Sequence, residues 1–180
     1  AEVGRLDGST TAALVVDASG KIVCPGFVDP HSHSDFSLLA NPTAESTIRQ
    51  GVTTEIVGTC GSSYAPVTDF SRVYQTERLH TFGFDGPVIP WTTFGEHLDF
   101  LRDVGHSPNL AWFVGHNSIR LAAGVSGSHP TDVQAALMDR FMHEAMEAGA
   151  LGMSTGLEFN PGREATTAEL VRLNAIAGEY

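Results

Sequence analysis

Positive charge is scarce in this chain of 180 residues: 10 Lys and Arg stand against 21 Asp and Glu, a formal net charge of −11. Nucleic acids and anionic membrane surfaces reward basic patches, so neither is an expected partner. Long apolar runs are missing too, and no segment approaches the roughly 20 residues that a membrane-spanning helix needs. The opening Ala1-Glu2-Val3-Gly4-Arg5 lacks the basic start and apolar stretch of a signal peptide, which makes a cytoplasmic location the expectation. Two cysteines, Cys24 and Cys60, are too few for a disulfide framework, and each has to be read in its own context. Apolar material is in ordinary supply, 42% of residues, enough for a packed core.

The apolar runs Ala13–Val16 and Lys21–Cys24 flank a turn-rich Asp17–Gly20, so residues 1–26 are expected to be the end of a small β-sandwich domain. From Phe27 strands and helices alternate. Phe27–His33 is a candidate strand, followed by a helix opening at Asn41-Pro42 and stopping at Gly51. Val52–Val57 is β-branched and ends in Gly58-Thr59-Cys60-Gly61, a second strand opening into a loop. Residues 62–90 are irregular, with a short helix near Asp69–Leu79. Capping boxes at Thr93-Phe94-Gly95-Glu96 and Thr166-Thr167-Ala168-Glu169 start two helices, and Thr131–Ala148 reads as the clearest one. Leu110–Val114 and Ala150–Thr155 are the third and fourth strands. Continuous apolar strands alternating with helices indicate an α/β fold with a parallel sheet. A (β/α)8 barrel takes about 250 residues, so residues 27–180 are expected to be the first half of a TIM-like barrel. A small doubly wound domain is the structural rival.

The sharpest local signal is Asp29-Pro30-His31-Ser32-His33. Strand residues two apart project to the same side, so His31 and His33 can present two imidazoles to one point, half of a tetrahedral zinc site. That spacing also fits two histidines that are simply exposed beside a loop. Cys60 lies just past the second strand, where a parallel barrel places its active-site loops, and a thiolate there would be a strong zinc ligand. Cys24, inside an apolar run, reads as a small buried hydrophobe. His116, at the end of the third strand, is placed either to line the pocket or simply to cap the strand. Glu158 follows the fourth strand, where it touches substrate or supports the loop. Asp29 reads as a structural hydrogen-bonding residue and Asp35 as a group orienting a ligand histidine. His80, His97, His106, His129 and His143 read as surface or loop residues, and Met138, Met142 and Met146 as edge packing of a core helix.

The run Val23 to Asp35, with its His31-Ser32-His33, resembles the first barrel strand of the metal-dependent amidohydrolase superfamily. Gln50-Gly51-Val52-Thr53-Thr54 followed by Val57-Gly58-Thr59-Cys60-Gly61 is similar to one branch of it, the N-acyl-D-amino-acid deacylases (D-aminoacylases). Phe113–Arg120 and Gly152–Gly162 resemble further stretches of that branch, so the likeness covers nearly the whole chain in order. It implies that His31 and His33 ligate the more exposed of two metal positions, that Cys60 is shared between both, and that the cofactor is one or two zinc ions. It also implies two further histidines from the fifth and sixth strands and a catalytic aspartate from the eighth. None of these falls within the 180 residues, so no catalytic residue is assigned here and the rest of the barrel is required. Phe159 stands where some relatives carry a tyrosine near the substrate, and it brings no phenolic hydroxyl. The implied activity is zinc-dependent hydrolysis of the amide bond of small-molecule N-acyl-D-amino acids, giving a carboxylate and a free D-amino acid. Two alternatives remain: a non-catalytic barrel remnant or partner subunit, and a cyclic-amide hydrolase of the dihydroorotase or hydantoinase type. The lysine-free fourth strand weighs against the latter.

Overall fold

The computed structural model describes Gly4 and residues 11–180. Its spine is the β-branched run Val52–Val57, strand β2, which pairs in parallel with β1 (Phe27–Asp29) on one side and β3 (Asn109–Trp112) on the other. A further strand, β4 (Val114–Gly115), follows β3 after Phe113 alone and pairs in parallel with β5 (Met153–Ser154). The two ladders meet at that residue. The Phe113 N–H still bonds Val57 O at 2.9 Å, and the Leu151 N–H bonds Trp112 O at 2.7 Å. Strand order therefore follows chain order, β1-β2-β3 and then β4-β5. A doubly wound sheet would reverse order at a switch point, and no reversal occurs among the described residues.

Helices alternate with the strands: α1 (Glu45–Ile48), α2 (Arg72–His80), α3 (Phe94–Val104), α4 (His116–Ala122), α5 (Asp132–Glu147) and α6 (Thr167–Ala177). Of the two expected capping boxes the one at Thr93 with Glu96 closes, and an unforeseen one forms at Thr131 with Gln134, each hydroxyl accepting the N3 N–H. Two helices differ from expectation. The first does not begin at Pro42, because Ala44 takes a left-handed φ of 43° and delays the start to Glu45. α4 rises directly from β4 with no capping side chain, so nothing local announced it.

The core lies between the strands and these helices. Val57, Trp112 and Val114 of the strands pack with Phe94 and Leu101 of α3, Met138, Phe141 and Met142 of α5, and Leu173 of α6. Full burial of each such side chain stabilises by about 1.5–3 kcal/mol. His97 belongs to this core rather than to the surface. It is 1% exposed, with its ring 4.8 Å from Trp91 and 5.2 Å from Trp112, and burial pushes its pKa down to about 3. Its position three residues after Phe94 and four before Leu101 puts it on the inward face of α3.

The expected strands over Ala13–Val16 and Lys21–Cys24 make no ladder among the described residues. The turn between them does close, with the Lys21 N–H on Ala18 O at 2.9 Å. Leu14, Val15, Val16, Ile22 and Val23 are exposed, and Cys24 is exposed rather than buried. A hairpin with no sheet to dock on gains too little burial to hold itself together. Residues 1–3 and 5–10 of the expected β domain lie outside the described residues. Among those described, no helix is long and apolar enough to cross a membrane.

Candidate metal centre

β1 stops at Asp29, so His31 and His33 stand in the loop just past its carboxyl end rather than on the strand itself. The loop keeps a sheet-like anchor, the Ser32 N–H on Ile56 O at 2.9 Å, and the Asp29 carboxylate accepts the His31 N–H at 3.1 Å. Ser32 points inward. Its hydroxyl and that of Ser34 donate to Glu55 Oε1 at 3.1 and 2.8 Å, and Glu55 on β2 is 1% exposed. With Ser32 turned in, its two neighbours are turned out, and their rings sit 5.6 Å apart. The alternation expected of a strand thus survives in the loop.

Cys60 reaches the same point from the end of β2. Gly58, Cys60 and Gly61 all adopt left-handed backbone, with φ of 73°, 52° and 73°. For cysteine that conformation costs about 1–2 kcal/mol, a strain that usually marks a site. The turn is packed against backbone on two sides: a β-carbon on Gly58 would stand 2.1 Å from Phe113 O, and one on Gly156 the same distance from Cys60 O. Cys60 Sγ lies 3.2 Å from His31 Nε2, and one donor atom from each of His31, His33 and Cys60 falls within 4.8 Å of the others. Burial, then the neighbouring His31 and Arg78, hold the His33 pKa below its ordinary value and favour the neutral ring that ligates metals. Its Nε2 also stands 3.3 Å from Thr59 Oγ1.

His33 and Cys60 open onto a cleft of about 930 Å³, whose walls also include Phe36, Arg78, Asn117 and Phe159. Arg78 donates to Ser62 Oγ at 3.1 Å and lies 4.8 Å over the Phe36 ring. Phe159 is half exposed on the wall. Glu158 is exposed and does not line the cleft; its backbone carbonyl accepts from Arg163 at 2.9 Å, the loop-supporting alternative. His116 does not line the cleft either. It is fully buried, with Nε2 2.7 Å from Glu169 Oε1, while Arg120 donates to both oxygens of the same carboxylate at 2.7 and 2.6 Å. Glu169 therefore completes no capping box: Thr166 Oγ1 accepts its N–H at 3.2 Å, but its carboxylate is committed to Arg120 and His116. Burial raises the pKa of Glu169, yet the bonds from His116 and Arg120 outweigh it and hold the group below its ordinary value. Asp35 orients no histidine. It is fully buried, its carboxylate oxygens have no hydrogen-bond partner among the described residues, and burial pushes it up to about 8 against the opposing pull of Arg78.

Sequence reasoning passed over Glu55, Arg78, Asn117 and Ser154. A carboxylate in the middle of an apolar strand was the one visible sign, at Glu55. The others act through contacts between residues far apart in the chain.

Comparison with known proteins bears on this arrangement. The chain is 36% identical over 185 residues to a D-aminoacylase of Alcaligenes xylosoxydans xylosoxydans, covering 100% of this chain and 37% of that enzyme. It is 36% identical over 158 residues to an N-acyl-D-aspartate deacylase of the same organism, covering 87% of this chain and 31% of the relative. Among solved structures, the N-acyl-D-glutamate deacylase of Bordetella bronchiseptica, complexed with zinc and a phosphonate inhibitor that mimics the tetrahedral intermediate, superposes with a TM-score of 0.82 at 36% identity. That match covers 96% of this chain and 35% of the other. The chain thus spans about a third of the length of the relatives it matches. The amidohydrolase family model runs from residue 14 to residue 178, from before β1 to the last turn of α6, and the chain belongs to the amidohydrolase family.

Proposed function

We propose that the protein hydrolyses the amide bond of N-acyl-D-amino acids with the help of zinc, releasing a carboxylate and a free D-amino acid. In this reading residues 27–180 are the first four strand–helix units of a (β/α)8 barrel, and residues 1–26 belong to a small β domain. The observation that carries it is the convergence of His31, His33 and Cys60 beyond the carboxyl ends of neighbouring parallel strands. Active sites of parallel barrels lie at that end. Two imidazoles and a thiol are a donor set that suits zinc, and the left-handed backbone at Cys60 is a strain of the kind that gathers at functional sites.

A zinc ion held there would supply a Lewis acid for the amide carbonyl and would lower the pKa of water from 15.7 to about 7. His31 and His33 would hold the more exposed of one or two ions, and Cys60 would face both. Phe36 and Phe159 give the cleft apolar walls that limit water, and Arg78 sets a positive charge beside them. No residue of these 180 is assigned the proton transfer; that role falls to an aspartate from the eighth barrel strand. Remaining ligands come from the fifth and sixth strands, so the rest of the barrel is the partner this site needs. A free thiol at Cys60 suits a reducing, cytoplasmic compartment.

The test is metal analysis and hydrolysis by the full-length protein. Bound zinc and cleavage of N-acetyl-D-amino acids, with the L forms left intact, are the expected result. Zinc-free protein that cleaves neither form would favour a non-catalytic remnant, and cleavage of dihydroorotate or hydantoin instead would move the protein to the cyclic-amide branch.

A further inference from the structure

We propose that Ser154 is a positioning residue for Cys60, fixing where its sulfur stands at the metal centre; the inference rests on the metal reading above. Ser154 ends β5 and is separated by more than ninety residues from the turn it serves. Its hydroxyl donates to Gly58 O at 2.5 Å and accepts the Gly61 N–H at 3.0 Å. Those two residues bracket Cys60, so a single oxygen ties the carbonyl before the cysteine to the amide after it.

The tie matters because Cys60 holds a left-handed φ of 52° without the freedom of glycine. Released, the backbone would relax, and with one side-chain torsion cysteine has little means of returning its sulfur to the same point. Close contacts from Asn117 and Gly156 hold the rest of the turn. Asn117 donates its N–H to Gly61 O at 2.9 Å and its side-chain amide to Gly156 O at 3.2 Å, while Gly156 lies too close to Cys60 O to admit a β-carbon. The position of Ser154 calls for a group that donates and accepts at once, which a hydroxyl does and a methyl does not. Ser154 is not among the three converging donors, so it acts through Cys60.

The experiment compares Ser154→Thr with Ser154→Val in the full-length protein; the two side chains share shape and differ in the hydroxyl. Ser154→Ala is a third variant. Cobalt(II) is the probe, read by its thiolate charge-transfer band, and zinc affinity is measured by chelator competition. The Val and Ala variants should lose about tenfold to a hundredfold in metal affinity, the usual effect of removing a group that orients a ligand, together with most of the thiolate band. The Thr variant should keep both. Metal-free melting temperatures of the Thr and Val variants should agree. Wild-type affinity and band in the Val variant would overturn the inference, as would equal losses in Thr and Val or a metal-free Val variant that melts well below Thr. Wild-type protein that binds no cobalt or zinc would instead overturn the metal reading on which the inference rests.

Discussion

The loops beyond β1 and β2 gather His31, His33 and Cys60, while α4 and α6 gather His116, Arg120 and Glu169. Both clusters hold histidine, yet their polar atoms are disposed in opposite ways. In the second, the buried carboxylate takes bonds from the buried Arg120 and His116, so its charge is met within the cluster. In the first, the donor atoms face a common point at the edge of an open cleft. A polar cluster whose charges pair with one another fixes helices; one whose donor atoms converge beside a cleft suits a metal ion. Histidine content alone does not separate the two.

The contrast is sharpest in stability. Glu169→Ala strands a buried guanidinium and should cost about 3–5 kcal/mol in equilibrium denaturation of the full-length protein. A loss below 1 kcal/mol would mean that the second cluster is not the structural one.

The buried His97 should come next. Its folded pKa near 3 lies below the ordinary 6.5, so its contribution is complete above 6.5 and is lost as pH falls, by about 1.4 kcal/mol per pH unit down to about 3. Asp35, pushed up to about 8, works in the other direction: its contribution is present below 3.8 and lost as pH rises through 8. His97→Phe should therefore gain on the wild type in denaturation curves as pH drops below 6.5. A stability difference that does not change with pH would argue against a neutral buried ring.

Cys60→Ala should change metal-free stability by less than about 1 kcal/mol, since alanine inherits the same left-handed backbone, while zinc content measured on the same protein collapses. Cys24→Ala, at an exposed position, should stay within about 0.5 kcal/mol and keep its zinc. Equal zinc loss from both substitutions would dissolve the distinction between the two cysteines.

Much of this was legible in the sequence where causes are local. Thr93 and Thr166 announce their helices because a cap is set by residues three apart, and the His31-Ser32-His33 spacing carries its facing with it even past the end of a strand. The convergence of Cys60 on those histidines could be read from its place after β2. What could not be read depends on distant pairings. His116 looked like a wall residue until Glu169, fifty-three positions on, was seen to claim it. Glu169 itself fitted a cap pattern by sequence and is spent elsewhere. His97 is different, for its inward face was available from the helical period and was overlooked. The exposed apolar runs before Cys24 follow the strand pattern but find no neighbour to pair with among the described residues.

Phe113, where one ladder ends and the next begins, gives the sheet a pitch. β2 bonds its neighbour up to Trp112, and β5 takes over beyond Phe113, so each strand is offset along its length from the one before, like treads on a spiral stair. Such a stagger is what the proposed barrel requires, since a closed sheet needs its strands sheared against one another. The loops leaving the first two treads bring two histidines and a cysteine to one point. Ser154, two treads further on, ties the cysteine turn that leaves the second tread, so one hydroxyl joins strands that do not pair with each other.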